Sequence, residues 1–133
     1  MSEVVYPAMY VRNTRESMFA DWLADGRKPI ETRTRDVLGK FIGKRVLIIR
    51  TEQNKKPMII GSAFIADKAY HNAEAMDYIR DFTMVPKGSQ YDCPEDGGKW
   101  CYYLRHPLKF DVPIPLDRFH VIKRTRSYAL LGY

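Results

Sequence analysis

The residues of this sequence best suited to chemistry lie in one short stretch, Asp25-Gly-Arg-Lys-Pro-Ile-Glu-Thr-Arg-Thr-Arg35, where Arg27, Lys28, Arg33 and Arg35 surround Glu31. An extended segment sends alternate side chains to opposite faces, so a strand over 30–35 places Glu31, Arg33 and Arg35 on one side and Thr32 and Thr34 on the other. Lys28 is out of phase. Pro29, however, holds residue 28 extended and fixes its own φ, which swings the ammonium back over the carboxylate. A lysine, a carboxylate and an arginine then converge. Lys28 would hydrogen-bond a ligand carbonyl or phosphate or, with its pKa lowered by desolvation, act as a base. Glu31 would accept from a base amino group or hold Lys28, and Arg33 would orient Glu31. The same three residues also suit a purely structural ion pair across a barrel end, with Glu31 accepting otherwise unpaired backbone N–H groups.

The elements around this stretch follow from hydrophobic period and punctuation. Val4 to Val11 is β-branched and aromatic and predicts a strand, with Pro7 marking an edge or a bulge. Asn13 and Glu16 have capping-box spacing, and Met18, Phe19, Trp22 and Leu23 recur at helical spacing, so a helix precedes Gly26, its stop. Arg45 to Thr51 is an apolar strand joined through EQNKKP to a second strand, Met58 to Ala66, as a hairpin. Asn72 to Phe82 has helical composition and Pro86 to Gly98 is loop-like. Lys99 to Arg105 alternates as a strand, and 108–112 and 118–122 supply two more. Five or six strands with two or more short helices predict an α+β, mainly β fold, a small antiparallel β-barrel.

Length and charge narrow the function classes. The 133 residues suit one domain, 1–133, able to hold a core without staples, and no run of the sequence is long and apolar enough to span a bilayer. Nothing at the N-terminus has the form of a secretory signal, so a cytoplasmic, non-membrane protein is expected, as a monomer or weak dimer. Cys93 and Cys101 lack zinc-site spacing and His71, His106 and His120 fall on different elements, so neither a metal nor another cofactor is expected. Residues 27–50 hold eight cations against two carboxylates, a net of +6 that equals the charge of the whole chain, whereas 67–96 is acidic. Such a face suits a polyanion, with Arg27, Arg35, Lys40, Lys44 and Arg45 as candidate phosphate contacts that carry no sequence preference. Tyr10 and Trp22 are candidates to stack on a base, against the alternative of core packing. Glu74 and Asp77 are weaker candidates for a second carboxylate.

Gly26, Lys28, Glu31 and Arg33 reproduce the pattern G-x-K-x-x-E-x-R, and in this the chain resembles ASCH domains, members of the PUA-like group of small β-barrels. The motif follows a Trp-containing amphipathic helix and precedes an apolar strand, and WCYYLRHPLKFDVPIPL is similar to the family's closing strands. The resemblance covers a core of about 4–118 and leaves a basic C-terminal segment, 119–133, that either packs on the barrel through Tyr128, Leu130 and Leu131 or carries Lys123, Arg124 and Arg126 toward phosphates. It implies a cleft that binds RNA, single-stranded nucleic acid or a modified nucleoside at Lys28, Glu31 and Arg33. It also implies two alternatives: a metal-free hydrolase, either a ribonuclease or an amidohydrolase acting on N4-acetylcytidine with Lys28 and Glu31 catalytic, and a protein-interaction module. In the amidohydrolase version a threonine nucleophile stands where this chain has Glu31. Strand alternation turns the adjacent Thr32 away from Lys28, which argues against threonine-dependent chemistry.

Overall fold

The computed structural model describes residues 4–133, and seven strands form a single sheet in the order β2-β5-β4-β3-β1-β7-β6. In chain order these are β1 (Val5–Arg12), helix α1 (Phe19–Asp25), β2 (Ile30–Arg33), a short 3₁₀ turn (Gly39–Phe41), β3 (Arg45–Thr51), β4 (Met58–Asn72), helices α2 (Ala73–Tyr78) and α3 (Arg80–Thr83), β5 (Gly98–Pro115), a second 3₁₀ turn (Leu116–Arg118), β6 (His120–Arg124) and β7 (Tyr128–Gly132). Neighbours pair antiparallel except β1 with β3, which run parallel. The mainly β α+β fold expected from the sequence is present, with seven strands among the described residues against the expected five or six. The expected strand at 108–112 is the continuation of β5 past a left-handed residue, His106 (φ 50°), and β4 runs beyond Ala66 to Asn72. Register shifts in the β4–β5 ladder bend these long strands, so they curl instead of lying flat.

Curling brings the β2 edge round toward β1. No ladder joins those two strands among the described residues. The Arg33 guanidinium spans the seam, donating to the carbonyl of Tyr10 on β1 at 2.7 Å and to that of Ser127, just before β7, at 3.4 Å. The barrel wall β2-β5-β4-β3-β1 is therefore closed at this level by a side chain.

Period-two alternation divides the apolar residues of the central strands between two clusters, and a third, smaller one joins Ile30, Met76 and Cys101. Met9, Ile48 and Ile60 join Phe19, Leu23, Leu38, Phe41 and Tyr102 in the larger cluster, while their neighbours Ala8, Ile49 and Ile59 pack with Leu116, Ala129 and Leu131 in a second. Central strands buried on both faces explain the unbroken apolar centre of β3. At Gly61 a Cβ would lie 2.2 Å from the Leu108 carbonyl oxygen, so only glycine lets β5 cross β4 there.

The helices depart from expectation in instructive ways. Helix α1 starts at Phe19 and not after Asn13; the Asn13 Oδ1 still accepts from the Ala20 N–H at 2.8 Å, so it caps the helix from across a loop, and Glu16 takes no part. Gly26 ends the helix in the left-handed conformation (φ 88°), as its type predicts. The helix expected over 72–82 is two pieces that break at Ile79. The core also extends past residue 118. Strand β7 pairs with β1 over five residues and buries Tyr128, Ala129 and Leu131, because YALL offers two apolar faces to a strand that would otherwise be an open edge. Leu131→Ala is expected to lower stability by about 2–5 kcal/mol, whereas Val112→Ala, at an exposed position, changes it by less than about 0.5 kcal/mol, both measured by urea unfolding.

Candidate functional site

The turn after α1 aims the motif inward. Beyond Gly26 the chain doubles back so that the Lys28 N–H donates to the Trp22 carbonyl at 3.0 Å, and Pro29 hands its own carbonyl to the Leu104 N–H of β5 at 2.8 Å. The side chain of Lys28 is thereby directed into the barrel, where it is only 1% exposed. Its ammonium donates to the carbonyls of Ile30, at 2.9 Å, and Thr83, and lies 3.7 Å from Glu31 Oε1 and 4.9 Å from the Phe19 ring centroid. Two protons thus have carbonyl acceptors, and the charge faces Glu31 at ion-pair distance. Desolvation holds the Lys28 pKa below the ordinary lysine value, and the Glu31 charge opposes that shift only in part.

Glu31 is the centre of the cluster. Arg33 Nε and Nη2 each stand 3.0 Å from Glu31 Oε2, and the Thr32 N–H donates to Oε1 at 3.1 Å. Both oxygens are engaged, Oε2 by two Arg33 donors and Oε1 by the single Thr32 hydrogen bond with the Lys28 ammonium at ion-pair distance. The Lys28, Glu31 and Arg33 constellation read from the sequence is thus assembled in space, with Pro29 turning Lys28 onto the carboxylate.

These groups border a cavity of about 230 Å³ along the free edge of β2. Phe19 and Tyr91, set edge to face with centroids 5.1 Å apart, form its apolar wall with Val85. Arg12, Thr32, Thr34 and Lys99 complete the lining together with Tyr10 and Val11. Tyr10 lines the cavity, its carbonyl is engaged by Arg33 and it packs against the second core, its buried hydroxyl having no partner among the described residues. Trp22 lies outside the cavity, packed edge-on to Phe19 at 5.9 Å as a flank of the core. Thr32 borders the cavity despite facing away from Glu31, because the site lies off the strand edge and meets residues of both faces.

The five phosphate candidates of the basic segment are dispersed, and none lines the cavity. Arg27 is paired with Asp25 at 3.0 Å, Lys40 donates to the Tyr128 hydroxyl at 2.6 Å, and Arg45 donates to Ser62 at 2.9 Å. Arg35 and Lys44 are exposed. Asp77 pairs with Arg80 and Lys87 at a separate surface. Phe19, Val85, Tyr91, Arg12 and Lys99 were not singled out in the sequence. Tyr91 stands in a loop without periodicity, and Lys99 opens a strand whose faces only the pairing defines. Cys101 is buried beside Met76, and burial pushes its thiol up to about 11, so it is an inert packing group. Among the described residues no group of three His, Cys, Asp or Glu side chains is placed to hold a metal ion, and no helix is long and apolar enough to cross a membrane.

A small curled barrel with a buried charged cluster at its seam defines the class, and comparison with solved structures places the fold. The chain matches the crystal structure of ASCH from Zymomonas mobilis with a TM-score of 0.66 at 21% identity, over 84% of this chain and 75% of that one. Serine-to-alanine and tyrosine-to-phenylalanine variants of that Zymomonas mobilis protein match with a TM-score of 0.64, also at 21% identity and over 84% of this chain, covering 75% and 77% of theirs. No protein-family model and no curated protein matches the sequence. The fold is that of an ASCH domain.

Removing Glu31 leaves Lys28 buried without its counter-charge, so Glu31→Ala should cost about 3–5 kcal/mol in urea unfolding. Lys28 also leaves a signature in pH. Its folded-state pKa is depressed, so the unfolded chain binds the proton more tightly and stability rises with pH in the window between that lowered value and the ordinary 10.5. Wild type is therefore expected to gain stability relative to Lys28→Met across the alkaline range, measured by urea unfolding at a series of pH values; a constant difference would contradict the assignment.

Proposed function

We propose that this chain is an ASCH-domain protein that binds RNA or a modified nucleoside by taking one base into the cavity at the β2 edge. The observation that carries this proposal is the presentation of Glu31. A carboxylate clamped by the Arg33 fork, with only the Thr32 hydrogen bond on its other oxygen, lines a space whose apolar wall is Phe19, Tyr91 and Val85. At about 230 Å³ the space falls below the ~300–1,000 Å³ typical of sites for drug-sized ligands, so it suits a single base and not a stretch of polymer. An exocyclic amino group would donate to Glu31 while Phe19 and Tyr91 cover the ring, an arrangement in which one polar anchor sets orientation and aromatic surface supplies affinity. Lys28 and Arg33 act as positioning residues, since both are held by Glu31 and by backbone carbonyls.

The same bonding weighs against the hydrolase alternative. For Lys28 to polarise a substrate carbonyl it would have to give up a backbone carbonyl or Glu31, and Glu31 would have to move protons while holding two cations. Titration calorimetry at low salt with cytidine, uridine and a short single-stranded RNA tests the proposal. Cytidine, which carries the amino group, should bind about tenfold or more tightly than uridine, and Tyr91→Ala should weaken cytidine binding about tenfold. Absence of binding to all three ligands would overturn it. Turnover of N4-acetylcytidine or cleavage of labelled RNA that is lost in Lys28→Met would establish the hydrolase in its place.

A further inference from the structure

The cavity holds more positive charge than its own carboxylate can balance. Arg12, Lys28, Arg33 and Lys99 line it against Glu31 alone. Lys28 and Arg33 are committed to Glu31 and to backbone carbonyls. The other two are not. Lys99 is only 9% exposed, and its ammonium has a single partner, the Thr34 hydroxyl at 3.2 Å. No carboxylate among the described residues lies within 4.0 Å of it, and the same is true of Arg12. Of the carboxylates that line the adjoining surface with Arg12, Glu52 is taken by Arg50 at 3.2 Å and Lys55 at 2.9 Å, while Glu16 lies beyond ion-pair distance of Arg12.

Lys99, nine-tenths buried as a residue, has one hydrogen-bond partner and no carboxylate within 4.0 Å, so it lacks the facing anion or full set of acceptors that repays removal from water. The geometry points to an oxyanion subsite in the cavity, in which Lys99, Arg12 and the Thr34 hydroxyl bind a phosphate group carried by the ligand. Thr34 accepts from Lys99 through its oxygen and so keeps its own proton to donate to the anion. Lys99 serves as the point charge and Arg12, exposed at the rim, offers the planar fork that grips two phosphate oxygens. The ligand is then a nucleotide, either a monophosphate or one residue of an RNA chain whose phosphate lies here while its base enters beside Glu31. That the phosphate belongs to a nucleotide rests on the base-binding proposal above; the oxyanion subsite itself does not.

Titration calorimetry with cytidine, cytidine 5′-monophosphate, the dinucleoside monophosphate CpC and inorganic phosphate separates these statements. Wild type should bind the monophosphate or CpC about tenfold or more tightly than cytidine, with an affinity that falls as salt rises. Lys99→Met and Arg12→Gln should each reduce that preference about tenfold and flatten the salt dependence. Tightest binding of the monophosphate marks a phosphomonoester and tightest binding of CpC a chain phosphodiester, and both support the subsite. Inorganic phosphate bound by wild type and lost in Lys99→Met, with no cytidine binding, would keep the subsite and sink the base-binding proposal. Cytidine bound as tightly as both phosphorylated ligands would sink the subsite and keep the base site. Lys99→Met should also match or exceed wild type in thermal stability, since it removes an uncompensated buried charge. A lowered Tm in Lys99→Met together with an unchanged ligand preference in Arg12→Gln would assign Lys99 a structural role and overturn the proposal.

Discussion

The fork from Arg33 to Glu31 is the interaction on which the rest of the molecule depends. Strand β2 has four residues and a ladder on one side only, with β5, so backbone pairing alone does not fix its distance from β1. Arg33 supplies the missing constraint by reaching the carbonyls of Tyr10 and Ser127, just where the β1–β7 ladder ends. A guanidinium is suited to this because its planar set of donors serves a carboxylate on one side and carbonyls on the other without deprotonating. Glu31 in turn keeps that cation from being unbalanced in a half-buried seam. Closure of the barrel and construction of the site are one event.

Lys28 exposes the cost of the arrangement. An ammonium taken almost wholly out of water loses several kcal/mol of hydration, and Glu31 at 3.7 Å recovers part of it. The carbonyls of Ile30 and Thr83 recover more, and Thr83 ties α3 to the barrel interior. Since α3 leads into the loop that carries Val85 and Tyr91, the lysine that holds Glu31 also anchors the wall facing it. Elsewhere in the cavity lining, Lys99 has a hydroxyl partner and no carboxylate within 4.0 Å. Native structures tolerate such groups where a ligand completes them.

Clustering of charge along the chain proved a poor guide to clustering in space. The +6 segment 27–50 winds from α1 across β2 and the 3₁₀ turn into β3, and its cations end on different surfaces, several with partners of their own. The cations that do share the cavity come from β1, the α1–β2 turn, β2 and β5, separated by up to 87 residues between Arg12 and Lys99.

What the sequence determined by itself is local. Gly26 required a helix stop, RVLIIRT required a strand buried on both faces, and the G-x-K-x-x-E-x-R spacing was enough to bring Lys28, Glu31 and Arg33 together, because a proline and a strand period are near-neighbour constraints. The mainly β class and the hairpin of β3 with β4 follow from the same kind of rule. Tertiary structure alone decided the rest. It joined β7 to β1, and so brought the C-terminal segment into the core, through a pairing between opposite ends of the chain. It carried Asn13 to a helix that begins six residues later, packed Tyr10 against the second core, left Trp22 outside the cavity, and brought Phe19, Tyr91, Arg12 and Lys99 around Glu31. No spacing in the sequence encodes those meetings, because they depend on how strongly the long β4–β5 ladder bends, which is the summed result of its bulges and of side-chain packing across the whole barrel.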